Sequence, residues 1–288
     1  MGVGLAEAFG RSRAEGRAAL VGYLPAGYPS VDGAADALRA MVEAGVDVVE
    51  VGLPYSDPLM DGPTIQQAVD AALRAGTTTT DVLRTVEAVA ATGAPAVVMT
   101  YWNPIERYGS ERFARDLAAA GGAGVITPDL IPDEADEWLP AARAHALDTV
   151  FLVAPSSTDE RIALTAQACR GFVYAASTMG VTGTRDQVSR AAATLVARTR
   201  AATDLPVAVG LGVSSADQAA ELAGFADGVI VGSAFVRRLL DADAPSTGVA
   251  AVAALAADLA EGVRRGGTRP PASQLYRSST SRAGGSFR

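Results

Sequence analysis

The stretch VVEVGLPYSDPLMDGPT, residues 48–64, joins a buried-strand pattern to a loop rich in glycine, proline and aspartate. Its valines predict a strand over residues 46–51, yet that strand contains a carboxylate, Glu50. Burying a carboxylate is costly unless the group is paired, neutralised or used in chemistry. The other predicted strands contain no arginine that could pair with Glu50, so the pattern favours a catalytic role.

The rest of the chain repeats short β-branched runs separated by Ala- and Leu-rich segments with helical spacing. The predicted strands are residues 19–24, 46–51, 96–100, 124–126, 149–153, 172–176, 207–209 and 228–231. The predicted helices are residues 31–44, 80–91, 112–120, 132–145, 160–169, 188–202, 216–222 and 249–264.

Eight strands alternating with helices predict an α/β fold, a (β/α)8 TIM barrel with an extra N-terminal helix. A doubly wound sheet is the alternative, but LPAGYPS after the first strand does not match its glycine-rich fingerprint. The barrel is predicted to occupy residues 1–268. The Gly-, Ser- and Arg-rich segment 269–288 is predicted to be a flexible tail.

The composition narrows the class of protein. A net charge of −8 without a basic patch argues against nucleic-acid binding. No membrane span or signal peptide is apparent, so a cytoplasmic location is expected. Cys169 and His145 are the single cysteine and histidine, and we expect no metal site and no catalytic role for either. Every basic side chain is arginine, so no lysine can form a Schiff base.

Glycine-rich turns follow the last three predicted strands, at residues 180–183, 210–212 and 232–233. In a (β/α)8 barrel, active sites lie at the carboxyl ends of the strands. Glycine lets the backbone approach an anion closely, and amides near helix starts bind phosphate. These turns therefore predict a phosphate site on the same face of the barrel as Glu50 and the loop aspartates Asp57 and Asp61.

The quoted stretch, together with YAASTMGVTGTR (174–185), VGLGVSS (209–215) and VGSAFV (231–236), resembles the tryptophan synthase α subunit family. LVGYLPAGYPS (20–30) and MTYWNP (99–104) fit the same family, and the resemblance covers about residues 5–265. It implies retro-aldol cleavage of indole-3-glycerol phosphate to indole and glyceraldehyde 3-phosphate.

The resemblance also implies roles for individual residues. Glu50 and Asp61 match the catalytic pair. The residues that match substrate-binding positions are Tyr23, Tyr101, Tyr174 and Thr182, and those that match phosphate binders are Gly183, Gly212, Gly232 and Ser233. Pro54 and Asp57 lie in the loop that would face a partner. Leu211, Met60, Thr178 and Met179 depart from the usual residues of the family.

A β subunit carrying pyridoxal phosphate is the implied partner, in an αββα heterotetramer, and no cofactor is expected in this chain. The indole would pass to that subunit for the synthesis of L-tryptophan. Three alternatives stay open from the sequence. One is a self-sufficient indole-3-glycerol-phosphate lyase, and another is a phosphosugar isomerase or epimerase on the same barrel. The third is a subunit that chiefly activates a partner enzyme, which is partly compatible with the lyase.

Overall fold

The computed structural model describes residues 4–176 and 185–267 of the chain. Its parallel strands are β1 Ala19–Pro25, β2 Val48–Gly52, β3 Ala96–Met99, β4 Gly124–Ile126, β5 Asp148–Val150, β6 Leu152–Val153, β7 Val173–Ala176, β8 Val207–Gly210 and β9 Gly228–Val231. Its α-helices are α1 Leu5–Ala14, α2 Val31–Glu43, α3 Pro63–Arg74, α4 Thr79–Ala90, α5 Trp102–Tyr108, α6 Ser110–Ala119, α7 Trp138–Ala144, α8 Asp159–Ala168, α9 Arg185–Ala202, α10 Ala216–Ala223, α11 Ser233–Leu240 and α12 Pro245–Gly266. The predicted tail lies outside the described residues.

The strands form one parallel sheet in the order β5-β4-β3-β2-β1-β9-β8-β7-β6. Only Phe151 separates β5 from β6, so these are two halves of one strand. The first half pairs with β4 and the second half pairs with β7, which closes the sheet on itself. The architecture is therefore the eight-stranded (β/α)8 barrel that the sequence predicts.

Cys169 completes the backbone hydrogen bonding at the break in this strand. The N–H of Phe151 donates to Sγ of Cys169 at 3.4 Å instead of to a carbonyl oxygen. Burial raises the pKa of the Cys169 thiol to about 12, so the side chain stays uncharged at neutral pH. Cys169 is therefore a buried, uncharged residue of the core.

Helix α1 covers the amino end of the barrel. Its apolar side chains Leu5, Ala8 and Phe9 join the inward-facing residues of the strands in one buried cluster. The ring of Phe9 lies 5.3 Å from that of Phe172, centroid to centroid. Because this end is filled by packed side chains, a substrate has to enter at the carboxyl end of the strands.

Several helices differ from the sequence prediction. Helices α3, α5 and α11 are not among those predicted from the sequence. Helices α3 and α11 begin directly after a glycine, Gly62 and Gly232, and α5 contains Pro104 in its first turn. The helix predicted over residues 132–145 is wrong in its first half, where a 3₁₀ turn covers Pro132–Glu134 and α7 starts at Trp138. Ala135 alone is buried between residues 131 and 137, so no apolar face holds a helix there.

Helix α12 is long and apolar enough to cross a membrane, judged by length and composition alone. It packs instead against α2, α10, α11 and β1 of the barrel. Its buried face includes Val252, Leu255 and Leu259. This packing makes α12 an outer helix of the barrel.

Candidate active site

The inner face of β1 and β2 brings two polar side chains to the open end of the barrel. Alternate strand residues point to the same face, and Val21 and Val48 belong to the interior cluster. Tyr23 and Glu50 follow two residues later and are direct register partners in neighbouring strands. They therefore form the layer above the apolar interior, at the carboxyl end where active sites of this fold lie.

Glu50 is buried, with 2% of its surface exposed. Its Oε1 atom has no hydrogen-bond partner among the residues that the structure describes. Burial disfavours the charged form and raises the pKa of Glu50 to about 8. The side chain therefore carries a proton at neutral pH and can both release and recover it.

Two tyrosines share this environment. Burial raises the pKa of Tyr23, and the negative charges of Asp61 and Glu50 raise it further. Burial followed by the charges of Glu50 and Asp61 also raises the pKa of Tyr174. Both phenols therefore stay protonated and can donate hydrogen bonds to a ligand held between the two carboxyl groups.

Glycines at two strand ends leave room for these phenols. A Cβ atom added to Gly52 would lie 2.4 Å from the hydroxyl oxygen of Tyr23. One added to Gly210 would lie 2.5 Å from the hydroxyl oxygen of Tyr174. No side chain fits at either position without moving a tyrosine, so the two glycines are part of the site.

Asp61 lies in the loop between β2 and α3 and is partly buried. Burial raises its pKa, and a hydrogen bond with Tyr101 opposes that rise. The Tyr101 hydroxyl also accepts the N–H of Met60 at 3.0 Å. On the other side, Gln66 Nε2 donates to the carbonyl oxygen of Asp61 at 2.7 Å. The loop is therefore held on both sides of the carboxylate.

The ends of β8 and β9 present backbone N–H groups on the rim beside β1. After β8, Gly212 adopts φ +63°, a left-handed conformation that favours glycine. After β9, Gly232 precedes α11, whose first residues, Ser233 and Ala234, have no acceptor within the helix for their N–H groups. Amides and the positive end of a helix suit a phosphate.

The two parts of the site are in contact through Tyr23. A Cβ atom added to Gly232 would lie 3.3 Å from the Tyr23 ring. The start of α11 therefore abuts the tyrosine that lies beside Glu50 in the sheet. The rim of β8 and β9 and the strand that carries Glu50 are therefore neighbours on one face of the barrel.

Some predicted positions stand apart from this cluster. Thr182 and Gly183 lie outside the described residues. Asp57 is exposed on the loop after β2, whereas Pro54 is buried within this chain. That the loop carrying these two residues faces a partner stays a prediction.

Three features of the site escape the sequence analysis. Gly52 leaves room for the side chain of Tyr23 on the neighbouring strand. The pattern of one strand cannot predict a contact with its neighbour. Tyr101 bonds the loop backbone, a contact between residues 41 positions apart in the chain. Gln218 bonds the turn after β8, and its place three residues after Ser215 is a recognisable helix-start signal.

The single histidine lies outside the barrel mouth, and no metal site is found among the described residues. Among the described residues, no three His, Cys, Asp or Glu side chains group as a metal site would require. His145 follows α7, and its Nε2 lies 2.6 Å from Oε1 of Glu111 on the outer surface. Neither residue is part of the barrel mouth.

The model of the family described as tryptophan synthase alpha chain matches residues 9–264. The tryptophan synthase alpha chain of Acidothermus cellulolyticus is 66% identical over 261 residues, which cover 90% of this chain and 96% of that protein. The tryptophan synthase alpha chain of Nocardia farcinica is 62% identical over 260 residues, which cover 90% and 96%.

Solved structures agree with these sequence relatives. A structure of Mycobacterium tuberculosis tryptophan synthase has a TM-score of 0.85 and 57% identity, and the match covers 92% of this chain and 99% of that chain. The tryptophan synthase alpha chain of Legionella pneumophila has a TM-score of 0.83 and 30% identity, with 92% and 98% covered. The chain therefore belongs to the tryptophan synthase alpha chain family.

Proposed function

We propose that this chain cleaves indole-3-glycerol phosphate with Glu50 as the proton carrier and Asp61 as the ionised partner. The lyase reaction is that of the family. The observation that carries the assignment of Glu50 is its buried carboxyl group, whose pKa of about 8 lies near the working pH of an acid and base. It lies at the open end of the barrel, in one electrostatic environment with Asp61, Tyr23 and Tyr174.

The chemistry requires a place for the electrons of the broken carbon–carbon bond. The chain contains no lysine, so it cannot form an iminium with the substrate. Protonation of the indole ring at C3 turns the ring itself into the electron acceptor. A proton carrier near C3 and a negative charge near the ring nitrogen then suffice for the cleavage.

Glu50 meets the first requirement. Its raised pKa leaves it protonated at neutral pH, so it can deliver a proton to C3. The resulting carboxylate can accept the proton of the glycerol hydroxyl as the bond breaks. Oε1 is unoccupied by any described side chain or backbone group, so it is available to the substrate.

Asp61 meets the second requirement. The hydrogen bond from Tyr101 limits the rise of its pKa, which favours the ionised form. An ionised carboxylate beside the ring nitrogen stabilises the positive charge that develops in the transition state. Tyr23, Tyr101 and Tyr174 would then surround the flat ring.

The phosphate would lie on the rim formed by Gly212, Gly232 and Ser233, with Gly183 contributing from the loop after β7. Backbone amides can bind its oxygens without a lysine. The phosphate is remote from the broken bond, so its binding energy serves to orient the glycerol chain. Thr182 would hydrogen-bond to Asp61 when that loop closes.

Membership of the family makes a β subunit the partner of this chain. We extend the proposal to an αββα heterotetramer whose pyridoxal phosphate belongs to the β subunit, with no cofactor in this chain. Asp57 and Leu59, the latter 79% exposed, lie on the loop after β2 and can contact that partner. A cytoplasmic location stays a prediction from the sequence.

Release of indole from indole-3-glycerol phosphate, measured with and without a β subunit, tests this function. We expect Asp61→Asn to lower kcat by roughly 10²–10³, the usual cost of removing an electrostatic stabiliser. Asp70→Asn, an exposed change on α3, should leave kcat within two-fold and serves as the control. Activity of Asp61→Asn close to that of the control would remove Asp61 from the mechanism.

Indole release with and without the β subunit, together with an assay on ribulose 5-phosphate, distinguishes the alternative functions. A chain that releases indole slowly alone and much faster with the β subunit is a dependent subunit. Equal rates in both conditions would identify a self-sufficient lyase. Turnover of ribulose 5-phosphate in place of indole-3-glycerol phosphate would instead support the phosphosugar epimerase.

A further inference from the structure

We propose that Gln218 is a positioning residue for the phosphate of the substrate. It would act through the turn after β8, by holding the N–H groups of Gly212 and Val213 toward the anion. The inference rests on the proposed function, because it assumes that the rim of β8 and β9 binds phosphate. It adds a residue that touches neither the phosphate nor the reacting atoms.

Gln218 and the turn are joined by reciprocal hydrogen bonds. Oε1 of Gln218 accepts the backbone N–H of Ser214 at 2.7 Å and the hydroxyl of Ser214 at 3.2 Å. In return, Oγ of Ser215 accepts the backbone N–H of Gln218 at 3.4 Å. These bonds resemble a capping box in which the side chain reaches one residue further back than usual.

The N–H groups of the turn divide into two sets. The N–H of Ser214 is bonded to Gln218, and that of Ala216 donates to Oδ2 of Asp258 at 3.3 Å. The N–H groups of Gly212 and Val213 have no hydrogen-bond partner within residues 4–176 and 185–267. Two successive free amides beside a left-handed glycine form an anion-binding concavity.

The turn borders a cavity. Gly212, Val213 and Gln218 line a cavity of about 210 Å³, which Ser189 and Glu221 also line. The hydroxyl of Ser189 donates a hydrogen bond to the carboxylate of Glu221. The cavity thus adjoins the free amides, and the amide side chain of Gln218 braces the turn on this side.

The choice of glutamine has an electrostatic reason. Glutamate at position 218 could accept the same hydrogen bonds from Ser214. It would also add a negative charge near a doubly charged phosphate, and the repulsion would weaken binding. A neutral acceptor therefore fixes the turn without opposing the ligand.

The test compares two substrates, indole-3-glycerol phosphate and its dephosphorylated form, indole-3-glycerol. Gln218→Met keeps the length of the side chain and removes the acceptor. We expect it to lower kcat/KM for the phosphorylated substrate by about 3–10-fold through KM, since one net hydrogen bond contributes about 0.5–1.5 kcal/mol. Turnover of indole-3-glycerol should stay within two-fold, and inhibition by inorganic phosphate should weaken by the same 3–10-fold.

Gln218→Glu provides a second variant. It retains the acceptor, so the turn should stay in place while the added charge weakens phosphate binding more at low salt than at high salt. Thr158→Val is the matched control, because it removes a similar helix-start hydrogen bond, to the N–H of Arg161, at α8. The control should leave the ratio of the two substrates unchanged.

Three outcomes would overturn the inference. Equal losses of Gln218→Met on both substrates would show a general structural effect, and no loss on either substrate would show that the turn does not depend on Gln218. A Gln218→Glu variant without any salt-dependent loss would contradict the electrostatic argument. If the wild-type chain itself fails to prefer the phosphorylated substrate, the proposed phosphate site fails first, and this result is distinct from the other three.

Discussion

Replacing Glu50 with glutamine should stabilise the protein while abolishing most of its activity. The carboxyl group ionises near its ordinary pKa of 4.5 in the unfolded chain and at about 8 in the folded chain. Below pH 4.5 both states are protonated, and no penalty arises. As the pH rises toward 8, the folded state keeps a proton that the unfolded state has lost, so the free energy of unfolding falls.

The size of this effect follows from the two pKa values. Each pH unit between 4.5 and 8 costs the wild-type chain about 1.4 kcal/mol of stability relative to a neutral isostere. The full penalty of an ionised Glu50 is roughly 3–5 kcal/mol above pH 8. Glutamine has no such penalty, so the stability advantage of Glu50→Gln should grow with pH over this window.

Urea unfolding at several pH values between 5 and 8.5 measures the difference between the two proteins. Glu43→Gln is the control, because it makes the same chemical change at an exposed position at the end of α2, outside the site. Parallel stability curves for wild type and Glu50→Gln would refute the argument that burial raises the pKa of Glu50. The same variant should lose roughly 10²–10⁴ in kcat, the usual loss for a general acid and base.

Two further substitutions test the surroundings of the pair. Tyr101→Phe removes a hydrogen bond that lowers the pKa of Asp61, so the acidic limb of the kcat/KM profile should move to higher pH; an unmoved limb would contradict this link. Gly210→Ala forces a Cβ atom against the Tyr174 hydroxyl and should cost about 1–3 kcal/mol in unfolding free energy. Gly10→Ala, in open space on α1, should be neutral or slightly stabilising in the same assay.

Much of the fold follows from local patterns in the sequence. The predicted strands 124–126 and 228–231 coincide with β4 and β9, and the other strands are displaced by two residues at most at an end. Valine-rich runs of this kind are buried on both faces in a parallel sheet, so their apolar character is unambiguous. The break at Phe151 could not be predicted, because it depends on which neighbour each half of the strand pairs with.

The sequence predicts the helices less completely than the strands. Helix α3 begins at Pro63, directly after Gly62, in the loop that carries Asp61, and this glycine and proline are typical of a turn as well as of a helix start. Helix α11 spans only Ser233–Leu240 and follows the glycine turn directly. The local sequence therefore indicates a loop at positions where the structure has a helix. Packing on the barrel stabilises these helices.

The residues of the site also differ in how far the local sequence predicts their roles. The sequence alone indicates a role for Glu50, because a carboxylate within a run of valines would be buried without a charged partner. The positions of Tyr101 and Gln218 depend on contacts with other segments, Met60 and Ser214, so their roles appear only in three dimensions. Residues that act through others leave little trace in their own local pattern.

The two carboxylates differ in the part of the fold that carries them, and this difference suits the roles proposed for them. Glu50 lies in a central strand, paired on both sides with β1 and β3, and is kept from water. The two carboxyl groups could not exchange their proposed roles. A partly exposed carboxyl on the loop would be ionised at neutral pH and could not deliver a proton. A fully buried carboxyl in the strand would be protonated and could not stabilise a cationic ring. Burial that differs between Glu50 and Asp61 would therefore allow two side chains of the same chemistry to perform the opposite tasks that we propose for them.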